Sequence, residues 1–371
     1  MKIFITYVSA GAGHFRAAQA LDNQFRKNSP SWRIELVDVL AFAKPVFRIT
    51  YLWGYNFMVS FARWLWAIAF YLTSSTILHP IINPICFLIT RINTSAFRDF
   101  LIRENPDYLI STHFLPSEII SDLKKSHQIN SKLITVITDF GVHPFWLSAN
   151  TDIYVGACTY TKEKLILNAV KPETIKVLGI PIDPKFQRIP QRGALFKKFN
   201  LDERKFTVLI VTGSFGIGPI EKIVDVLHRD AQVLVVCARN KKLFVRLKEK
   251  NYPQVRVFGF IDNIEELMGL GDIAITKPGG LSICELLAME LVPIFISAIP
   301  GQETENVKAL ESYGVAKTAR SVDEIKKIVL DYQAHPEELS RIKENIRRIK
   351  KPSAAEDLYN VIRQSSSGSA S

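Results

Sequence analysis

Apolar runs of strand length alternate with segments of helical periodicity along the whole chain. Parallel strands need a crossover connection, usually a helix, so this alternation predicts parallel sheets wound with helices. We therefore predict an α/β fold. The strand candidates are residues 2–8, 33–37, 108–111, 132–138, 153–155 and 175–177 in the first half, and 207–211, 232–236, 255–258, 273–276, 293–296 and a short one near Val315 in the second.

The length of 371 residues exceeds what one hydrophobic core usually supports, which predicts two domains. The phrase GIPIDPKF at residues 179–186 ends the first series of strands, and a polar, basic stretch follows it. We expect a first domain at residues 1–182, a second at 183–364 and a disordered tail at 365–371, where the sequence is of low complexity. The sequence leaves open whether the long helical segment at 336–364 packs on the first domain.

The formal net charge of +11 predicts an anionic partner, either nucleic acid or the headgroups of a bilayer. No nucleic-acid-binding motif is recognisable, so we expect no nucleic acid. The four cysteines are widely separated and form no CxxC pair, which favours a reducing cytosol. The sequence also lacks an evident DxD-type metal-binding motif, so we expect no metal ion. We expect no cofactor either.

Aromatic side chains are concentrated at residues 47–71, where ten of 25 residues are aromatic, against 11% in the whole chain. Residues 64–90 contain no Lys, Arg, Asp or Glu, but polar residues and two prolines interrupt them, whereas a membrane span needs about 20 predominantly apolar residues. We predict that residues 45–92 form interfacial or shallowly inserted helices. A buried core helix pair and a dimer interface are the alternatives. The candidates for membrane contact are Trp53, Arg63, Trp64 and Trp66.

A glycine turn separates the first strand candidate from a helix. Gly11 and Gly13 let the backbone turn tightly, and the helix end offers free N–H groups to a ligand. His14, at the junction, can act as a general base near neutral pH. His113, Asp139 and His143 lie at other predicted strand ends. They are candidates for lining the side of a ligand-binding cleft that receives the acceptor substrate. For each histidine, a hydrogen-bonded structural role is the alternative.

Three polar or glycine-rich loops follow strand candidates in the second half: TGSFGIGPIE at residues 212–221, TKPGGLSICE at 276–285 and PGQETEN at 300–306. Glycine turns before helices can cradle a diphosphate, and a carboxylate one turn into the helix can accept hydrogen bonds from a ribose. Plain tight turns are the alternative for each loop alone. The candidates for nucleotide-sugar binding are Gly213, Ser214, Phe215, Gly216, Lys277, Gly279, Gly280, Leu281, Ser282, Glu285, Gln302, Glu303 and Asn306, with Gly13 from the first half.

The order and spacing of these motifs resemble the monogalactosyldiacylglycerol synthase family of GT-B glycosyltransferases, which is related to the peptidoglycan lipid N-acetylglucosaminyltransferase. The resemblance covers most of residues 1–315 and is carried by GAGH, STHF, TDFGVHPFW, VLGIPIDPKF, VTGSFGIGPIE and KPGGLSICELLAMELVPIFISAIPGQETENV. It implies two Rossmann-like domains facing a central cleft. It also implies that His14 is the base, that Glu285 binds the ribose, that Gln302 and Glu303 face the donor sugar, and that residues 213–218 lie near the diphosphate. Gly-Ala-Gly stands where the family has a glycine triplet, and the turn before Ser282 reads Gly-Gly-Leu, so the resemblance does not specify the sugar.

The expected protein is an inverting glycosyltransferase, peripheral on the cytoplasmic face of a membrane, that moves a hexose from a UDP-sugar to diacylglycerol. The expected partners are a UDP-hexose, diacylglycerol and an anionic membrane surface. A transferase that moves N-acetylglucosamine to a polyprenyl-linked lipid is one alternative. A UDP-sugar epimerase and a non-catalytic lipid-binding GT-B scaffold are the others.

Overall fold

The structure is a computed structural model that describes residues 1–60, 62–75, 77–213, 216–296 and 298–367. It divides into two compact units: the first contains Met1–Pro184, Ile299–Glu305 and Lys351–Ser371, and the second contains Lys185–Ala298 and Asn306–Lys350. The division falls two residues after the predicted boundary at residue 182. The prediction of one continuous second domain at 183–364 needs correction, because two later segments of the chain pack with the first unit.

The first unit is built on a parallel sheet. Its strands follow the order β2-β1-β3-β4-β5-β6, so the direction of winding reverses between β1 and β3. The inner strands β1, β3, β4 and β5 are mostly buried on both faces, which explains why they read as apolar runs in the sequence. In chain order the elements are β1 (Lys2–Tyr7), α1 (Ala12–Asn28), β2 (Arg33–Asp38), α2 (Pro45–Ser60), α3 (Arg63–Ser74), α4 (His79–Asn93), α5 (Ser95–Glu104), β3 (Tyr108–Ser111), α6 (Phe114–Lys125), β4 (Lys132–Val136), β5 (Ile153–Gly156), α7 (Thr159–Leu167) and β6 (Ile175–Val177).

The second unit repeats this plan with the strand order β12-β11-β10-β7-β8-β9, all in parallel. Its winding reverses between β10 and β7, where Ile273 pairs with Val208. The strands confirm the predicted α/β class. The elements are α8 (Arg192–Lys198), β7 (Thr207–Val211), α9 (Ile220–Leu227), β8 (Gln232–Val236), α10 (Lys241–Glu249), β9 (Val255–Phe258), α11 (Ile264–Leu270), β10 (Ile273–Thr276), α12 (Gly280–Ala288), β11 (Val292–Phe295), α13 (Gln302–Ser312), β12 (Lys317–Thr318), α14 (Val322–Ala334) and α15 (Pro336–Ile349).

The last helix, α16 (Ala354–Ser367), packs on α1 of the first unit. Leu358 and Ile362 are fully buried beside Phe25, and the hydroxyl of Tyr359 lies 2.8 Å from the Ser29 hydroxyl. The helix continues through Ser367, so the predicted disordered tail begins at least three residues too early. Residues 368–371 lie outside the described residues.

The helices α2, α3 and α4 correspond to the predicted lipid-facing segment and expose many apolar side chains. Trp53 is 74% exposed and Trp64 is 68% exposed, and α4 has no buried residue among those described. This exposure excludes the alternative of a buried core helix pair. Within the part of the chain that the structure describes, no single helix has the length and apolar character to cross a bilayer, although the bent pair Trp64–Ser74 and His79–Asn93 passes by length and composition.

Candidate functional site

The first candidate site lies where the first sheet changes its winding direction. β1 leads through a glycine turn into α1, and β3 leads through Thr112 and His113 into α6. Because β1 and β3 are neighbours, these two connections lie side by side at the carboxyl ends of the strands. In α/β folds, ligands bind at such a switch point. Gly13 and His14 lie in the first turn of α1.

His14 is held by the ends of two neighbouring strands. Its Nδ1 atom lies 2.9 Å from the Thr112 carbonyl oxygen and 2.9 Å from the Thr138 hydroxyl. Since a carbonyl oxygen only accepts hydrogen bonds, Nδ1 carries the proton in the neutral ring and Nε2 keeps its lone pair. Nε2 has no hydrogen-bond partner among the described residues. This arrangement gives His14 the tautomer that a general base requires.

Burial lowers the pKa of His14 below its ordinary value of 6.5, although the charge of Asp139 and the hydrogen bond to the Thr112 carbonyl act in the opposite direction. The ring lies edge-on to that of His113, with 4.6 Å between the centroids. Burial, and secondarily the neighbouring His14, hold the pKa of His113 well below 6.5. Both imidazoles are therefore neutral near pH 7, as a base must be before it accepts a proton.

His113 caps α6, because its Nδ1 accepts a hydrogen bond from the Leu115 backbone N–H at 3.1 Å. The predicted alternative of a structural histidine therefore has direct support. His113 also lines the same cavity as His14.

A cavity of about 340 Å³ adjoins these histidines within the first unit. Its walls are mostly apolar and come from the helices α2 and α3 and from the strand-end loops, whereas its polar groups are few. Such a composition suits a ligand with an apolar body and a small polar end. The residues around it include His14, Tyr51, Met58, Trp66, Phe70, Thr73, His113, Phe114, Asp139, His143, Phe145, Trp146 and Gln302.

Two of the predicted donor-sugar residues lie in the segment that returns to the first unit. Gln302 donates a hydrogen bond from Nε2 to the Asp139 carboxylate at 2.8 Å, and both residues line the cavity. Glu303 accepts a hydrogen bond from the Ile299 backbone N–H at 2.6 Å. The structure therefore brings Gln302, predicted from the second half of the sequence, beside Asp139, predicted from the first.

His143 attaches α3 to the loop that follows β4. Its Nδ1 accepts a hydrogen bond from the Phe145 N–H, so Nε2 carries the proton and donates to the Thr73 hydroxyl at 3.1 Å. Burial lowers the pKa of His143 to about 4. Both ring nitrogens are engaged in hydrogen bonds, which supports the alternative of a structural histidine for His143. The four residues predicted to contact a membrane have different surroundings. Trp66 lines the cavity, whereas Trp53 and Trp64 are exposed to solvent. The side chain of Arg63 lies outside the described part of the structure.

The second candidate site lies at the switch point of the second sheet, where the connections after β7 and β10 are adjacent. Gly213 and Gly216 have φ values of +80° and +55°, and a Cβ at Gly216 would lie 2.5 Å from the Cys237 carbonyl oxygen. Only glycine fits that position without displacing backbone. Ser214 and Phe215 lie outside the described residues.

The turn after β10 presents the N-terminus of α12. Lys277 is partly buried in this turn, Gly279 caps the helix, and Gly280 is its first residue. Apart from its chain neighbours, no described residue lies within 4 Å of where a Gly279 Cβ would be, so a ligand can approach this turn closely. The other predicted residues follow in the helix: Leu281 and Glu285 are buried, and Ser282 is partly buried.

Asn306 lies against the turn that follows β10. It is fully buried and donates a hydrogen bond from Nδ2 to the Pro278 carbonyl oxygen at 3.0 Å. It therefore supports the Lys277–Gly280 turn, and its role in nucleotide-sugar binding stays a prediction.

The sequence interpretation missed several residues around both sites. Thr138 contacts His14 through its hydroxyl, and Phe70 packs beside the returning segment. Phe260, which follows β9, is 55% exposed at the carboxyl edge of the second sheet. An apolar residue two positions after a predicted strand end was the available signal for Phe260. Within the described ranges, no group of three or more His, Cys, Asp or Glu is placed to hold a metal ion.

Comparisons with known proteins match both units. The family model described as monogalactosyldiacylglycerol (MGDG) synthase matches residues 14–182, and the glycosyltransferase family 28 C-terminal domain matches residues 207–358. A processive diacylglycerol beta-glucosyltransferase of Bacillus subtilis is 32% identical over 263 residues, which cover 69% of this chain and 68% of the relative.

Solved structures show the same fold at low sequence identity. MurG of Acinetobacter baumannii aligns with a TM-score of 0.62 and 12% identity, over 98% of this chain and 99% of that one. Anabaena Alr3699/HepE, solved in complex with UDP, aligns with a TM-score of 0.57 and 13% identity, over 98% and 100%. The chain therefore belongs to the monogalactosyldiacylglycerol synthase family and is a glycosyltransferase of the GT-B fold.

Proposed function

We propose that the protein transfers a hexose from a UDP-sugar to diacylglycerol at the surface of a membrane, with inversion at the anomeric carbon. The observation that carries the proposal is the position of His14, a neutral histidine with a free Nε2 beside an apolar cavity. The name of the Bacillus subtilis relative, a diacylglycerol beta-glucosyltransferase, supports diacylglycerol as the acceptor.

In the proposed reaction, the acceptor hydroxyl loses its proton to Nε2 of His14 as its oxygen attacks the anomeric carbon. The new carbon–oxygen bond forms while the bond to the β-phosphate oxygen breaks, and UDP leaves with that electron pair. Attack on the face opposite the leaving group inverts the configuration. The Thr112 carbonyl, which accepts from Nδ1, stabilises the imidazolium that results.

The groups proposed to hold the donor are in the second unit. The N-terminus of α12 and the loop after β7 offer backbone N–H groups to the diphosphate, where negative charge grows as UDP departs. Glu285, one turn into α12, is proposed to accept hydrogen bonds from the ribose. Phe260 lies two strands from β7, about 10 Å at ordinary strand spacing, which suits stacking on the base of a nucleotide whose phosphates lie at the switch point.

Peripheral binding to an anionic membrane, on the cytoplasmic face, is part of the proposal. Lys44, Arg48 and Arg91 are exposed and form no ion pair with any described residue, while apolar side chains are exposed along the same helices. The Lys44 N–H donates to the Asn93 carbonyl, which brings the start of α2 beside the end of α4 and its Arg91. Cationic heads beside exposed aromatic and aliphatic residues match the interface of an anionic bilayer.

The experiment measures UDP release with UDP-glucose, UDP-galactose and UDP-N-acetylglucosamine, each with anionic vesicles that contain or lack diacylglycerol. We expect release only when diacylglycerol is present, and a kcat at least about 100-fold lower for His14→Ala. The matched control is His335→Ala, which removes an exposed histidine of the second unit and should leave kcat unchanged. Proton NMR of the product should show a β-glycoside.

Three results would contradict parts of the proposal. An α-glycoside would exclude inversion, and full activity in His14→Ala would exclude the proposed base. If diacylglycerol supports no release with any donor, while vesicles containing a polyprenyl-linked lipid do, the acceptor is the polyprenyl-linked lipid.

A further inference from the structure

The helix α3 has two apolar faces with different surroundings. Its outer face carries exposed residues three to four positions apart, including Trp64, Ile68 and Tyr71, the last of which is 59% exposed. Its inner face lines the cavity with Trp66, Ala69, Phe70 and Thr73. One short helix therefore faces solvent on one side and the cavity on the other.

The inner face of α3 also contacts the returning segment Ile299–Glu305, which belongs to the same unit. Gly301 is buried with a φ of +89°, and a Cβ there would lie 2.5 Å from Cγ of Phe70. The backbone of Gly301 therefore rests against the Phe70 ring at a distance that no other residue type allows. A movement of the Phe70 ring toward the segment would therefore displace Gly301.

The residue after this contact is Gln302, which donates its hydrogen bond to Asp139 at the cavity wall. Further along the segment, Glu305 packs against Gly141 and accepts a hydrogen bond from the Tyr160 hydroxyl at 3.2 Å. These other contacts come from loops and from α7. Phe70 differs because it belongs to a helix whose opposite face is apolar and exposed.

His143 holds Phe70 from another side. The centroids of the two rings are 4.6 Å apart, and His143 also bonds to Thr73 one turn further along α3. Phe70 is thus packed against both the His143 ring and the Gly301 backbone. A chain of direct contacts therefore runs from α3 through Phe70 and Gly301 to the neighbouring Gln302.

We propose that Phe70 is a positioning residue that couples contact of α3 with a lipid surface to the placement of Gln302, and thereby to affinity for the hexose of the donor. The inference rests on the proposed function, in which the exposed apolar helices contact a membrane and the protein binds a UDP-hexose, and on the role at the donor sugar that the family resemblance implies for Gln302. A lipid surface that holds α3 in one position also fixes Gly301 and Gln302 before the donor arrives. The donor then binds more tightly, because less ordering remains for it to impose.

The test uses equilibrium dialysis to measure the Kd of radiolabelled UDP-glucose and UDP-galactose, with and without anionic vesicles that lack diacylglycerol. In the wild type, saturating vesicles should lower the Kd of the bound UDP-hexose by about fivefold or more. The Kd of UDP, which lacks the hexose, should change much less. Phe70→Leu and Phe70→Ala should bind vesicles normally and lose most of the effect on the UDP-hexose.

The matched control is Tyr71→Ala, which removes the neighbouring aromatic ring from the outer face of the same helix. It should need more lipid for half-maximal vesicle binding but keep the full effect on the UDP-hexose once vesicles saturate. Circular dichroism melts identify any variant that has lost its fold. Gly301→Ala disrupts the same contact with Phe70 from the other side. It should reproduce the loss of the vesicle effect on the Kd of the UDP-hexose.

The inference is overturned, with the proposed function intact, if the wild type binds both vesicles and a UDP-hexose but its Kd does not respond to vesicles. It is also overturned if folded Phe70→Leu and Gly301→Ala keep the full response, or if UDP responds as strongly as the UDP-hexose. A wild-type protein that binds neither vesicles nor any UDP-hexose would instead remove the proposed function and, with it, the inference.

Discussion

Nδ1 of His14 and the carbonyl oxygen of Thr112 lie 2.9 Å apart, although 98 positions separate the two residues in the sequence. The partner that sets the tautomer of His14 is therefore a backbone group, which side-chain substitution at position 112 leaves in place. Thr138 and Asp139, by contrast, act on His14 through side chains and can be varied.

The pH dependence of activity should follow the protonation of His14. A base must be neutral, so kcat/KM should rise with pH and reach its plateau once the pH exceeds the pKa of His14, which burial holds below 6.5. Asp139→Asn removes a negative charge that favours the imidazolium, so the pKa should fall further and the acidic limb should move to lower pH. Profiles of kcat/KM between about pH 4.5 and 8 test this, and a limb that moves upward would contradict the assignment.

Glu285→Gln should weaken donor binding while leaving the fold intact. The substitution keeps the volume of this buried side chain but replaces a charged acceptor, and a hydrogen bond to a charged group contributes about 1.5 to 3 kcal/mol. The Kd for UDP should therefore rise about tenfold to a hundredfold in equilibrium dialysis. Glu337→Gln, at the exposed start of α15, is the control and should bind UDP normally. An unchanged Kd in Glu285→Gln would show that this carboxylate does not bind the ribose.

Gly216→Ala should destabilise the second unit more than Gly213→Ala. Both glycines have a positive φ, which costs about 1 to 2 kcal/mol for an L-residue. A Cβ at Gly216 also meets the Cys237 carbonyl at 2.5 Å, whereas among the described residues none but chain neighbours lies within 4 Å of one at Gly213. Urea unfolding should therefore give the lower free energy of unfolding for Gly216→Ala. Equal losses of unfolding free energy in the two variants would mean that the positive φ alone causes the destabilisation.

The two tryptophans of α3 should act at different steps. Trp64 is exposed, so Trp64→Ala should raise the amount of lipid needed for vesicle co-sedimentation. Trp66 lines the cavity, so Trp66→Ala should raise the KM for diacylglycerol with vesicle binding unchanged. If, on the same vesicles, Trp66→Ala weakened vesicle binding and Trp64→Ala raised the KM for diacylglycerol, the assignment of the two faces of α3 would be wrong.

The strands were the most predictable part of the molecule. Strands buried on both faces read as apolar runs, and the runs at 108–111, 207–211 and 273–276 end where β3, β7 and β10 end. The short strand expected near Val315 lies instead at Lys317–Thr318. Whether a segment forms a strand or a helix is largely a local property of the sequence, which explains why the strands were predicted correctly.

Packing partners were less predictable. Gln302 and Asn306 belong to one strand-end motif, yet Gln302 bonds to Asp139 in the first unit and Asn306 is buried under a turn of the second. Likewise, the amphipathic pattern of α16 indicates that one face is buried but not which helix covers it. Such choices depend on contacts between residues far apart in sequence, which no local pattern contains.

The route of the chain has a practical consequence for anyone who wishes to exchange parts between members of this family. A fragment that stops at Pro184 would lack α16 and leave Phe25 and its apolar neighbours uncovered, so it should be prone to aggregation. A chimera joined at that residue would also combine an α16 from one parent with an α1 from the other. The transplantable module is therefore discontinuous: Met1–Pro184 has to travel with Ile299–Glu305 and with everything from Lys351 onward.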